Sequence, residues 1–117
     1  MPDSSRAWLD VVPGAVTICD ERGVVLEMNE AAARNFAKDG GRALIGRSLL
    51  DCHPEPARSK LTRLLETGAT NVYTVEKGGA KKLVYQAPWF RDGELGGLIE
   101  ISLALPRDMP HFVRDVE

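Results

Sequence analysis

The densest group of reactive side chains in this sequence is Asp51-Cys52-His53-Pro54. A thiol next to an imidazole can form a thiolate pair, bind a soft metal, or offer one axial nitrogen to haem iron. Neighbouring side chains diverge along a chain, so Cys52 and His53 are poorly placed to share one ion. No second ligand cluster completes the four positions that zinc takes. Haem needs a single axial histidine, which keeps His53 as a haem candidate. The plainer reading is favoured: a loop histidine whose ring bonds a backbone group while Pro54 fixes the chain. Asp51 and Glu55 flank His53 and could act as an acid/base pair. No nucleophile, base and orienting group come together as a trio, and no Gly-x-Ser-x-Gly elbow or phosphate loop is present, so the chain does not read as an enzyme. The basic groups Arg58/Lys60/Arg63 and Lys77/Lys81/Lys82 are diluted by Glu55, Glu66 and Glu76 and read as solvated faces. His111, in the tail, reads as solvated too.

The frame that must hold these residues is one domain of 117 residues. Apolar residues make up 44% and charged residues 27%, which excludes bulk disorder. Fifteen Lys and Arg against 17 Asp and Glu give a net charge of -2, which argues against a nucleic-acid partner. The two cysteines, Cys19 and Cys52, are too few for a disulfide framework and read as free thiols. Met1 to Ser5 lacks the charged and apolar pattern of a signal peptide, and no apolar run reaches the ~20 residues of a membrane span. The expected location is cytoplasmic, with no membrane partner.

Strand and helix signals alternate in blocks. Ser5 to Val12 predicts a short helix capped by Ser4 or Ser5, stopped by Pro13-Gly14. Ala15–Asp20 and Val24–Met28 predict a hairpin around Glu21-Arg22-Gly23. Asn29 caps a predicted helix over Glu30–Lys38, which Asp39-Gly40-Gly41 ends. Ala43–Gly46 is a short turn and Ser48–Pro56 is irregular. Ala57–Thr67 predicts a longer helix with Leu61, Leu64 and Leu65 as its apolar stripe. Thr70–Lys77, Lys81–Phe90 and Leu95–Leu105 then predict a meander with turns at Gly78-Gly79 and Asp92-Gly93. Two strands, helices, then three strands predict an α+β fold with an antiparallel sheet.

From Trp8 to Leu105 the chain resembles a PAS domain. Three stretches carry the resemblance: Pro13 to Asp20 with Gly23 and Asn29-Glu30-Ala31-Ala32, Leu44-Ile45-Gly46-Arg47-Ser48, and Phe90 to Glu94 followed by Gly97 to Ile101. The resemblance implies a five-stranded antiparallel sheet with helices packed on one face. It also implies a sensory module that binds a small ligand or cofactor, or mediates dimerisation. The division expected is a helical cap over 1–12, the PAS-like domain over 13–105 and a tail over 106–117. Family members often end the last strand with Asp-Ile-Thr leading into a signalling helix. Here the chain reads Ala104-Leu105-Pro106, and Pro106 and Pro110 oppose such a helix. The tail is too short for an output domain, so the signal would leave through a separate signalling protein unless the chain is cut from a longer one. Flavin-binding members carry a reactive Cys within Asn-Cys-Arg-Phe-Leu after the Gly-Arg turn. Gly46-Arg47 is followed instead by Ser48-Leu49-Leu50, and Cys52 falls three residues late, so no flavin–Cys adduct is expected.

Strand alternation sorts the sheet into two sets. The resemblance turns Thr17, Cys19, Tyr73, Val75, Leu83, Tyr85, Ala87, Leu98, Glu100 and Ser102 toward the helices. Val16, Ile18, Val72, Val84, Ile99, Ile101 and Leu103 then form an aliphatic outer face. Periodicity alone does not exclude the reverse assignment. The inner set is polar for a core, and a buried Glu100 needs an answering group unless it reaches solvent. A small-molecule ligand is therefore expected on Tyr73, Tyr85 and Glu100, with Ser102, Cys19 and His53 at the rim. Phe36, Leu83, Ala87, Ile45, Leu61 and Leu65 would be the apolar walls. The outer face would be covered by the N-terminal helix, by a second subunit, or by both. A homodimer through Trp8, Leu9, Ile18, Val84, Ile99, Ile101 and Leu103 is expected. A ligand-free docking module acting through the same face is the alternative.

Overall fold

The computed structural model describes residues 4–115, with side chains from Arg6 onward. Its elements are α1 (Ser4–Val11), β1 (Ala15–Asp20), β2 (Val25–Met28), α2 (Glu30–Asn35), α3 (Ala57–Thr67), β3 (Asn71–Lys77), β4 (Ala80–Arg91) and β5 (Glu94–Leu105). Between α2 and α3 run three single turns of 3₁₀ helix, Ala37–Asp39, Gly41–Leu44 and Leu49–Cys52. The helix expected to reach Lys38 stops at Phe36, whose φ of −101° and ψ of 22° leave the α-helical region. The cap expected from the Ser4 or Ser5 side chain lies outside the described side chains.

The strands form one antiparallel sheet in the order β2-β1-β5-β4-β3. Its α+β class and one-sided helices agree with the sequence expectation. The core lies between the β2-β1-β5 half and the helices. Cys19, Val25 and Leu98 from the sheet meet Ala32, Leu61 and Leu65 from the helical layer there. That half is closed. The β3-β4 half is more open, with Tyr73 and Val75 exposed on the helix side.

Two turns fix which residues face the helices. Gly78-Gly79 closes β3 on β4 with Lys77 opposite Ala80, so Tyr73 lies opposite Val84 and Asn71 opposite Gln86. Between β4 and β5 the register slips by one residue after Trp89, placing Gln86 opposite Glu100. Thr17 on β1 lies opposite Glu100 in turn. Asn71, Gln86, Glu100 and Thr17 thus form one row across the inner face.

This row corrects the expected parity of β4. Leu83, Tyr85 and Ala87 point to the outer face, level with Leu103, Ile101 and Ile99. Val84, expected outside, is buried on the helix side. The sequence misleads here because Leu83-Val84-Tyr85 is apolar on both faces, so β4 carries no alternation to read.

α1 does not cover the outer face. It packs against α2. Arg6 pairs with Glu27, Asp10 stands 3.6 Å from Arg42, and the Leu9 carbonyl accepts from the Asn29 amide at 3.0 Å. Leu9 is half-buried in this position and Trp8 is exposed.

Candidate functional site

A cleft of about 690 Å³ separates α3 from the inner side of β3 and β4. It exists because α3 directs its apolar stripe, Leu61, Leu64 and Leu65, toward the closed half of the sheet. The far side of α3 then faces β3 across a gap. Leu61 and Leu64 form the inner end of that gap, Pro56 and Ala57 one edge, and His53 its rim.

The sheet side of the cleft is polar and ordered. Asn71 Nδ2 donates to Gln86 Oε1 at 2.8 Å, and Gln86 Nε2 donates to Glu100 Oε2 at 2.7 Å. Glu100 is thus answered by Gln86, a partner the sequence reading did not name. Gln86 is buried, yet both ends of its amide are bonded, which offsets the cost of removing it from water. The two bonds fix the Gln86 amide with its oxygen toward β3 and its nitrogen toward β5.

Tyr73 stands beside this row at the open side of the cleft. Burial, and then the Glu100 carboxylate, push its phenol above the usual range, so it stays protonated and able to donate. Lys60 Nζ lies 5.9 Å from the centre of the Tyr73 ring. Arg63 lines the same wall one helical turn on.

His53 is held by its own turn. Its Nδ1 donates to the Leu49 carbonyl at 2.7 Å, and the Cys52 thiol donates to that same oxygen at 3.3 Å. The side chains do not diverge as expected, since Sγ and Nδ1 lie 3.6 Å apart, but both donate to the one oxygen and so do not make a thiolate–imidazolium pair. Burial foremost, with Asp39 next, also raises the Cys52 thiol, opposite to the shift a reactive thiolate needs. Among the described residues no three His, Cys, Asp or Glu side chains gather closely enough to hold a metal ion. Glu55 turns back onto α3 and accepts from the Ser59 amide at 3.0 Å. The Ser59 bonds, with help from Arg58, hold its carboxyl below the usual range.

The remaining expected site residues are scattered. Cys19 is in the core beneath Leu98 and not at the rim; burial raises its thiol to about 11, which keeps it protonated and inert at neutral pH. Phe36 packs on the core with its ring 6.4 Å from the His53 ring. Ser102 is half-buried on the inner face, beside Ala15 and Val84. Tyr85 and Leu83, on the outer face, cannot touch a molecule in this cleft. Of the polar group expected, Tyr73 and His53 line the cleft, and Glu100 is joined to it through Gln86. Sequence reasoning missed Asn71 and Gln86; it read Lys60 and Arg63 as a solvated face, and both are exposed where they line the cleft. A signal for the first pair was present: counting back from the two-residue turn at Gly78-Gly79 pairs Asn71 with Gln86.

A five-stranded antiparallel sheet in this order, with helices on one side and a cleft between, defines a PAS-type α+β domain. A family model described as the PAS fold matches residues 9–105, and the chain belongs to that family. No curated protein sequence matches it. Among solved structures it is similar to a C-terminal domain from Streptococcus mutans at 18% identity, with a TM-score of 0.69 over 86% of this chain and 81% of that one. It is similar to the PAS domain of BvgS from Bordetella pertussis at 19% identity, with a TM-score of 0.64 over 87% and 84%. The VqmA dimer of Vibrio cholerae matches at 17% identity and a TM-score of 0.65; the match covers 91% of this chain and 52% of VqmA. VqmA bound to DPO matches comparably, with a TM-score of 0.63. Among the described residues no helix is long and apolar enough to cross a membrane.

Proposed function

We propose that this chain is a cytoplasmic, non-catalytic sensory module that takes a small molecule into the cleft between α3 and β3-β4. It would report occupancy through contacts of its outer sheet face with a second copy or a signalling partner. The observation that carries this reading is the bonded row Asn71–Gln86–Glu100 lying beside an open cleft. Over β2, β1 and β5 the inner face is closed by apolar packing. In the cleft, fixed polar groups and a protonated Tyr73 meet apolar side chains from α3, the mixture expected of a small-molecule site. VqmA, a protein of similar fold, is known bound to DPO, which supports a ligand for this fold too.

The ligand-free docking reading also has an observation in its favour, the exposure of Val72, Tyr85 and Leu103 on the outer face. Native mass spectrometry of protein purified without refolding separates the two. The ligand reading expects extra mass on the folded protein that leaves on denaturation, and expects Tyr73→Ala to lose it. A clean apo mass, with no thermal stabilisation by any member of a metabolite library, would overturn the ligand and leave the docking face. An absorption spectrum of the same sample tests haem. A Soret band that disappears in His53→Ala would make His53 its ligand.

A further inference from the structure

The cleft has two chemically different walls. On the sheet side the polar groups are committed to one another, Asn71 to Gln86 and Gln86 to Glu100. On the helix side stand Lys60 and Arg63, which form no salt bridge among the described residues. Of the nearby carboxylates two are turned away from them, and Glu66, one turn on from Arg63 along α3, forms no salt bridge with either. Asp51 stands 3.9 Å from Arg58, and Glu55 caps the Ser59 amide. Two cations therefore line a cavity whose other groups, besides the bonded amides, include the Tyr73 phenol, His53, Ser59 and the apolar side chains of Leu61, Leu64 and Pro56.

We propose that this cleft selects a small organic carboxylate on a flat or aliphatic body, with Lys60 and Arg63 holding the carboxylate and Tyr73 packing against the body. The inference deepens the ligand reading above and rests on it. Arg63 can grip a carboxylate through two parallel N–H bonds, while Lys60 supplies a compact charge next to the ring. Glu100 opposes an anion placed deep against β5. Its field reaches the Tyr73 phenol as well, so the carboxylate belongs at the mouth, farther from Glu100, and the body within. The selectivity is for charge on a matching shape, since the apolar contacts are the same for a neutral analogue.

The test uses benzoate, benzamide and hexanoate as probes. Binding is followed by ¹H–¹⁵N shifts of the α3 and β3 amides in the whole chain. Benzoate and hexanoate are expected to shift both elements at millimolar concentration, with benzamide at least ~3-fold weaker. The Lys60→Met/Arg63→Met double variant keeps the apolar stems and should weaken benzoate by at least ~10-fold, the loss of one charge-assisted bond or more. It should leave benzamide unchanged. Lys81→Met/Lys82→Met, on the distant hairpin end, should change neither, which excludes a general effect of net charge. Added salt should weaken benzoate and not benzamide. Equal binding of benzoate and benzamide, or an unchanged benzoate affinity in the double variant, overturns the anion inference while the cleft reading stands. No shift in α3 or β3 with any of the three probes overturns both.

Discussion

Asn29 uses every hydrogen-bonding position of its amide. Its Oδ1 accepts from Val16 N and Ala32 N, both at 3.0 Å, and its Nδ2 donates to Leu9 O at 3.0 Å and Gly14 O at 2.8 Å. One side chain, 2% exposed, thus joins the end of α1, the approach to β1, β1 itself and the start of α2. Asn29→Asp keeps the acceptor that caps α2. It replaces the two donors with an oxygen facing two carbonyls. Each stranded carbonyl costs about 1–3 kcal/mol, and a buried charge adds to that. Urea unfolding is expected to show a loss of ~3 kcal/mol or more, though a cap-only account predicts almost none. A loss below ~1 kcal/mol would mean the bonds to Leu9 and Gly14 are dispensable. The cap was legible in the sequence, because an Asn before Glu-Ala-Ala-Ala is a local signal. The clamp was not. Its partners are backbone groups of residues 9, 14 and 16, far along the chain, and only the folded sheet brings them to one amide.

At the scale of elements, the register of β4 decides what the cleft contains. The turn at Gly78-Gly79 puts Tyr73 and Val84 on one face. The turn at Asp92-Gly93, counted without interruption, would put Tyr85 opposite Glu100. With Tyr73 and Glu100 both facing the helices, these two counts conflict by one residue. The structure resolves the conflict with a bulge: Phe90 pairs with Leu95 and Trp89 with Gly97, leaving Gly96 as the extra residue. Trp89 lies over Gly96 and donates its indole N–H to Cys19 O at 3.0 Å. Gly97 has φ of +155°, and a Cβ there would collide with the backbone of Cys19 and Asp20. Gly97→Ala is therefore expected to cost ~3 kcal/mol or more, or to prevent folding. Gly46→Ala is the comparison: its φ is +93° but nothing lies near the added carbon, so it should cost only ~1–2 kcal/mol. Similar losses in both variants, read by urea unfolding, would remove the bulge as the device that sets register. The strand count and the helix α3 were legible, because each has its own pattern and punctuation. The parity of β4 required a bulge to be inferred from Gly96-Gly97, and the apolar run Leu83-Val84-Tyr85 hid the need for it.

The whole molecule is closed on one side of its sheet and open on the other. α2, α3 and the 3₁₀ turns cover the inner face except at the β3-β4 cleft, and α1 is tied to α2. On the outer face Tyr85 is 41% and Leu103 42% exposed, with Val16, Ile18, Ile99 and Ile101 half-buried between the strands. With the N-terminal helix placed elsewhere, a second copy is the covering partner proposed for this face. The same strands serve both faces. Gln86 lines the cleft while Tyr85, its neighbour, lies outside; Glu100, bonded to Gln86, and Ile101 likewise face opposite sides of the sheet. A ligand that favours one twist of β4 and β5 would therefore bias the geometry of whatever sits on the other side. Tyr85 lies on the face away from the cleft, so the proposal assigns it to association and not to ligand recognition. The protein is expected to be a dimer by light scattering, and Ile101→Glu should render it monomeric, because a carboxylate trapped in an apolar interface is costly. Ile101 is half-buried at the surface of its own subunit, so the monomer should keep its fold and its shifts with benzoate. A variant that remains dimeric would move the interface off this face, and a wild-type protein that is monomeric would leave the face to a partner of another kind.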